Sequence, residues 1–281
     1  MSTHTRSWAA SKRYQKGFRW FLLGLAIIVF LLPILWTFLA SWGVFPDDTS
    51  SPPTWTWPPT FENNIQIGVA EPGFLPETAA SISVAVTATV LTIAVAFLAA
   101  YGMARSRLRN SKTGIQAFLI LASMPVMAYI IPLSNTVHNL RLYDTFVGVA
   151  LADTAIFTPL AVYILFGYVR QVPLDLEEAA RLDGATFLRI IWRVVVPMAS
   201  SGIAATAIIL FVLNWNLLLV PLALTENHVK TIPVAMSDFF TFERDMEWPV
   251  AAAVLVTSLL PLVALVAVAH RTLEQFRLRS V

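Results

Sequence analysis

Charge is missing from long stretches of this chain, and no other feature limits its folding more. Trp20–Pro46, Thr78–Ala104, Thr113–Leu140, Val194–Thr225 and Trp248–Ala269 hold no Asp, Glu, Lys or Arg, and Thr145–Val169 holds one, Asp153. Each window supplies the ~20 apolar residues that cross a hydrocarbon core about 30 Å thick. Lipid offers no water to satisfy backbone amides, so such windows must close their own hydrogen bonds as helices. Period-2 alternation is absent, which argues against a membrane β-barrel. The spacing predicts six spans near 19–41, 80–103, 116–137, 146–168, 199–221 and 249–269. Basic residues precede the first, but its apolar run is too long for a signal-peptide core and no small-x-small cleavage site follows. A retained anchor helix is expected there.

Composition agrees. Hydrophobic types make up 57% of the 281 residues and charged types 13%, about half the roughly 25% of soluble domains. That balance excludes an ordinary soluble enzyme. A net charge of +2 gives no reason to invoke nucleic acid. The absence of cysteine removes disulfides, thiolate metal sites and cysteine nucleophiles. Four scattered histidines offer no metal-ligand spacing. The chain also lacks a GxxxxGK[ST] loop, so it does not hydrolyse ATP by that device.

Lys and Arg orient the spans. Taken alternately, the seven flanks hold 16 basic residues on one side and 3 on the other, which places both termini in the cytoplasm. The expected organisation is a cytoplasmic tail (1–18), a first span (19–41), an outer loop (42–79) and a core domain (80–269). The core includes a cytoplasmic loop at 170–198, and a second tail (270–281) follows.

The outer flanks carry two alternative readings. Residues 42–77 are rich in Pro and Trp, and residues 222–248 interleave Asp238 and Glu243 with Phe239 and Phe240. Such a mixture serves as an aromatic belt at the membrane interface or as a docking surface for an extracytoplasmic partner.

The segment 170–198 is no simple linker. Asp175 three residues before Glu178 has the form of a capping box, and Glu178-Ala179-Ala180-Arg181-Leu182 is good helix-forming sequence. Gly184 suits the left-handed conformation that ends a helix, and Thr186 suits the cap of the next, which runs toward Pro197. A short helix, a tight turn and a second helix are expected, with Ala179 and Ala180 keeping one face low.

Here the sequence resembles a known family. Glu178-Ala179-Ala180, Asp183-Gly184-Ala185 and the later Val196-Pro197 resemble the "EAA" loop of binding-protein-dependent ABC importer permeases. Trp57 to Asn63, Ala99 to Arg105, Ile131-Pro132-Leu133, Leu142 to Thr145, Asn214-Trp215-Asn216 and Thr231 to Val234 resemble, in order, stretches of the MalG-type permeases of carbohydrate importers. The chain departs at Thr78 and Ser81, where Asn-Ser is usual, and at Leu217, where an acid is usual. The resemblance implies an all-α, six-span type I importer (MetI-like) fold in a bacterial inner membrane. It implies a second permease subunit, two ATPase subunits that hold ATP and Mg, and an extracellular solute-binding protein. It implies alternating access for a sugar or oligosaccharide, with no covalent step and no cofactor or metal on this chain; the alternatives are the same architecture with a glycerol-phosphate diester, polyamine or peptide as cargo, or a non-transporting membrane scaffold.

Individual residues are read in two ways. Glu178 stabilises its own helix, or docks on the ATPase with Ala179, Ala180, Asp183, Gly184 and Ala185. Asp153, an acid inside a span, is expensive in lipid and faces the bundle or a wet cavity. It bonds Asn135, Thr136 or Thr154, or it belongs to the substrate path. Asn214, Trp215 and Asn216 offer a sugar an aromatic face beside amides, or act as glue between helices.

Overall fold

Helices follow the uncharged windows in the computed structural model, which describes residues 4–47, 54–62, 74–106, 111–238 and 248–279. They are α1 (His4–Ser41), α2 (Phe74–Arg105), α3 (Ser111–Ala122), α4 (Ile130–Asn139), α5 (Phe146–Arg170), α6 (Leu174–Leu182), α7 (Phe187–Met198), α8 (Ser200–Trp215), α9 (Leu219–Leu224), α10 (Ile232–Asp238) and α11 (Trp248–Arg279). The chain forms two compact units, Met1–Glu71 with Asp245–Thr257, and Pro72–Arg244 with Ser258–Val281.

In the first unit the apolar side chains of α1 from Phe18 to Leu39 are almost all exposed. In water that surface would collapse or aggregate; lipid is its natural solvent. The Trp- and Pro-rich stretch beyond α1 turns at Gly43 (φ 76°). It forms a small antiparallel hairpin of β1 (Pro46–Asp47) and β2 (Thr54–Trp55), with Pro46 opposite Trp55. This hairpin departs from the all-α expectation. The Thr56 hydroxyl ties it together by accepting from the Phe45 amide at 3.1 Å and donating to the Gly43 carbonyl. Trp36 meets Trp55 edge-on with centroids 5.8 Å apart.

In the second unit α2 and α5 are the packed pair around which the rest assembles. The buried stripe of α2 is mostly small or hydroxylated (Ala80, Ser81, Ala85, Ala88, Thr89, Thr92, Ala96 and Ala100), with Phe74, Val84, Phe97 and Tyr101 as its larger members. The larger residues Ile82, Val86, Val90, Val95 and Leu98 point outward. Small faces inward and large faces outward is the pattern of a helix in lipid, where close backbone approach drives association. The two helices run in the same direction. Val84 shares a core with Val149 and Ala152 at one end, while Ala96 to Tyr101 share another with Ala161 to Val169. Between these cores Thr154 Oγ1 donates to the carbonyls of Ala150 (2.7 Å) and Ala88 (3.5 Å).

Two expected spans are broken. The window at 116–137 yields α3, a 3-10 turn at Val126–Ala128 and then α4. Pro125, extended at φ −65°, stands at the break and has no amide to continue a helix. The window at 199–221 yields α8 and the short α9, with Asn216 closing the former. Just before it, α7 contains a π-turn at Ile191–Val195. Pro197, two residues on, removes one amide and crowds the carbonyl four residues back, the usual cause of such bulges and kinks. α7 and α8 then meet at 76°. Among the described residues three helices are long and apolar enough to cross a membrane: α2, α5 and the Phe18–Ser41 part of α1. The bent α7–α8 pair makes a fourth if it forms one span, and Thr113–Ala122 and Trp248–Ala264 are shorter apolar helices.

Candidate functional site

The loop between α5 and α8 folds as a helix, a turn and a helix, but its first cap is not the expected one. α6 starts at Leu174 behind Pro173, whose extended backbone (φ −60°, ψ 132°) makes it the boundary residue. Asp175 therefore lies inside the first turn, where a carboxylate favours the helix dipole without capping an amide. At the other end Gly184 takes φ 79°. The Gly184 amide donates to Arg181 O and the Ala185 amide to Ala180 O, each at 3.0 Å, a Schellman arrangement that requires the left-handed residue. Thr186 stands at the start of α7 as expected, but its side chain makes no cap bond.

Glu178, Ala179, Asp183 and Gly184 are exposed, while Ala180 and Ala185 are half-buried and pack against the core around Ile190 and Val195. The outward face is therefore less smooth than the alanine pair suggests. Its apolar part is Leu176, Phe187, Leu188, Trp192 and above all Leu182, 90% exposed at the tip. Leucine in a short helix ordinarily points to a core, so the sequence marks Leu182 only as a helix former and not as an exposed anchor.

The sequence leaves Glu177 unmarked as well. This side chain is 1% exposed and pairs with Arg105, 13% exposed, at 2.7 Å. Arg105 Nε–H donates to Oε1 at 2.8 Å, and the Tyr101 hydroxyl donates to Oε2 at 2.8 Å. Arg105 reaches further, donating to the carbonyls of Val172 (2.9 Å) and Val169 (3.3 Å). Removing one partner of such a buried pair typically costs about 3–5 kcal/mol, because the other charge is left without compensation. The available signal was the placing of Tyr101 and Arg105 one helical turn apart on α2, hence on one face.

At the opposite end of α2 and α5 lies a second cluster. Asp144 takes φ 54° and turns its carboxylate into a nest of amides. Those of Glu226 and Asn227 donate at 3.1 Å, His228 donates to both oxygens, and Val229 donates at 3.3 Å. Its own amide donates to Leu224 O at 2.8 Å. Nearby the Ile232 amide donates to Ser81 Oγ at 2.7 Å, and Lys230 lies 3.7 Å from Glu77.

Burial alone raises the Asp144 pKa, but the backbone donors outweigh it and hold the group below the usual carboxylate value. A depressed folded-state pKa means stability that is complete above the unfolded carboxylate pKa and is lost as pH falls through the folded one. Asp144→Asn keeps the left-handed backbone accessible while removing the charge. It is expected to cost roughly 1–2 kcal/mol at neutral pH. Its melting temperature should approach that of the wild type as acid protonates Asp144; parallel melting curves from pH 3 to 7 would remove the nest from the stability account.

The expected pathway residues are not gathered in one open site. Asn214 is buried; its amide donates to Leu210 O (2.9 Å) and to Thr89 Oγ1 on α2 (3.4 Å). Trp215 is buried and stacks on Phe211, centroids 5.8 Å apart. Asn216 is exposed and bonds Val212 O at 2.7 Å. Asp153 is fully buried, and neither carboxyl oxygen has a hydrogen-bond partner among the described residues, so Asn135, Thr136 and Thr154 are not its partners. A cavity of about 470 Å³ between α2 and α5, lined by Val84, Leu91, Phe146 and Leu151 among others, includes none of the four. Of the expected docking residues, Asp238 ends α10, while Phe239, Phe240 and Glu243 lie outside the described residues. No group of acids or histidines suited to a metal occurs among the described residues.

Comparison with known proteins gives the same answer at three levels. The family model described as "Binding-protein-dependent transport system inner membrane component" matches residues 7–276. The trehalose transport system permease protein SugB of Mycobacterium tuberculosis is 32% identical over 260 residues, covering 90% of this chain and 92% of that one. The sulfoquinovosyl glycerol transport system permease protein SmoH of Agrobacterium fabrum is 28% identical over 255 residues, covering 90% and 89%. The fold is similar to a crystal structure of a bacterial ABC transporter involved in the import of the acidic polysaccharide alginate. The TM-score is 0.77 at 20% identity, over 93% of this chain and 97% of that one.

Proposed function

The chain belongs to the binding-protein-dependent transport system inner membrane component family, and we propose that it forms half of the translocation path of an importer for a sugar or oligosaccharide. It is a multi-pass inner-membrane permease subunit. A second permease completes the path, two ATPase subunits bind ATP and Mg and dock on 174–185, and a solute-binding protein delivers cargo to the outer loops. The chain binds no cofactor and catalyses no covalent step. The observation that carries the reading is the helix–turn–helix of α6 and α7, which exposes Glu178 and Leu182 outward. The carbohydrate cargoes named for the relatives support the sugar assignment.

Six spans with both termini cytoplasmic remain the proposed topology, with α3–α4 and α8–α9 each crossing as a broken helix. Broken helices are tolerated at membrane depth where the freed backbone is covered by protein or lines a path. The parallel course of α2 and α5 supports this, since the chain must return once between them. Two further contacts agree with the charge count. Asp144 bonds the loop at 226–229, both ends being outer by that count, and Arg105 bonds Glu177, both being inner. Of the pathway trio, Asn216 is the side chain open to a passing sugar, while Asn214 and Trp215 hold α8 in place.

Mechanistically, closure of the ATPase dimer would push α6, and the packed spans would rock to change the side on which the path opens. Two experiments test this. Cysteine at Asn227 is expected to react with an impermeant thiol reagent applied outside intact cells, and cysteine at Gln171 only after permeabilisation. The native chain has no cysteine, so the background is clean; reversed labelling overturns the orientation. Deletion of the gene should abolish ATP-dependent uptake of one labelled di- or oligosaccharide from a panel, and unchanged uptake across the panel would reject a sugar cargo.

A further inference from the structure

Glu177 is the acid of α6 that turns inward, and its surroundings give it a task that docking does not explain. The inference rests on the reading of α6 as the helix that meets the ATPase. Glu178, one residue on and about 100° round the helix, is exposed; Glu177 is sealed at 1% exposure. The Glu177 carboxylate is gripped on both oxygens from α2, by Tyr101 and by Arg105. The same guanidinium is held by carbonyls at Val169, near the end of α5, and at Val172, in the turn into α6. The Tyr101 ring lies edge-on to Phe187, which begins α7, with centroids 5.7 Å apart. Three helices, α2, α5 and α6, therefore meet at one carboxylate and one guanidinium, and α7 touches the Tyr101 ring beside them.

A buried ion pair is weak evidence for stability, because well-packed apolar side chains often do as well. Its gain is in geometry: the fork of the guanidinium fixes direction as well as distance. A helix attached only through its loops could tilt under load without moving a span. Through Arg105 and Tyr101, α6 is fastened to a helix that runs unbroken to Phe74 and meets Ile232 through Ser81 at its other end. We infer that the Tyr101–Glu177–Arg105 cluster is the joint that makes α6 and α2 move as one body, with Glu177 as its positioning residue.

The test measures that rigidity and needs no knowledge of the cargo. Spin labels are placed at cysteines replacing Asp175, exposed on α6, and Gly102, exposed on α2 with no neighbour within 4 Å of an added Cβ. The distance between them is read in the transporter assembled with its partner permease and ATPase, without nucleotide and after trapping with ATP and vanadate. One narrow distance, the same to within about 1 Å in both states, is expected for the parent. Glu177→Gln keeps the side-chain shape but loses the pair; with the ATPase retained, its distribution should broaden about two-fold. Arg105→Gln should do the same, the double variant no more than either single, and Glu177→Asp should fall between. An unchanged width in Glu177→Gln, or a parent distance that shifts by more than about 3 Å on trapping, overturns the joint. Should Glu177→Gln fail to assemble, the parent and Glu177→Asp measurements still decide. Failure of the docking reading is separate: wild-type ATPase retention in both Glu178→Lys and Leu182→Ser would mark it, whatever the labels report.

Discussion

Glu178→Lys is expected to strip most of the ATPase from the assembled transporter during purification, and with it the ATP hydrolysis stimulated by the loaded solute-binding protein. The variant should leave the chain itself intact, because Glu178 is exposed and surface charges contribute little to stability. At a docked surface the same charge is partly desolvated. Truncating a hydrogen-bonded charge pair there costs about 2–5 kcal/mol, roughly 30-fold or more in affinity, and reversal adds repulsion. Leu182→Ser provides a second reading of the same surface. At 90% exposure it stabilises nothing within the chain, so loss of ATPase in this variant must come from contact with a partner. ATPase content per permease after affinity purification checks both. Wild-type content in both variants would leave the α6–α7 hairpin without its proposed partner.

The two glutamates also mark the limit of what the sequence makes legible. Charge-free windows are readable because the cost of charge in lipid is large and local, and the basic residues that orient them lie next to the spans they orient. Gly184 is readable because a helix stop is decided within a few residues. Glu177 and Glu178 are neighbours with equal local chemistry, and what separates them is Arg105, 72 residues away. The same limit hid Asp144, whose amide donors lie more than 80 residues downstream. The breaks between α3 and α4 and between α8 and α9 were missed for another reason. Averaged hydropathy is blind to them, since the residues at each break are as uncharged as those in the helices; the local marks are Pro125 at the first break and Asn216 at the second. The cap at Asp175 was misplaced because Pro173 begins the helix earlier by fixing φ, without offering a side-chain acceptor.

Asp153→Ala is expected to make the purified chain more stable and the transporter less active. Asp153 is at 0% exposure in the interior of α5, with both oxygens lacking a hydrogen-bond partner among the described residues. A buried polar group left in that state costs about 1–3 kcal/mol, and an ionisable one within a span costs about 2.5–3.5 kcal/mol on insertion scales. Among the described residues Thr92 Oγ1 on α2, Asn214 Oδ1 on α8 and Thr231 Oγ1 just before α10 are also buried without a partner, the first two on helices that pack against α5. A chain that keeps four such residues in its interior tolerates a cost that packing alone would have removed. A buried unsatisfied polar group calls for a reason beyond packing, and a functional role is one such reason. The alanine removes both orphan oxygens and leaves a void of only a few atoms, so the transfer gain should exceed the cavity loss. The thermal midpoint in detergent should rise by several degrees, on the scale of about 2–4 °C per kcal/mol for a chain of this size. Uptake by the assembled importer should fall at least ten-fold. Asp153→Asn, which preserves volume and polarity but cannot carry charge, separates the causes. Activity retained in Asn but lost in Ala assigns Asp153 a hydrogen-bonding role in the other state of the transport cycle, and activity lost in both assigns the role to its charge. A stabilised Ala variant with undiminished uptake would remove Asp153 from the path.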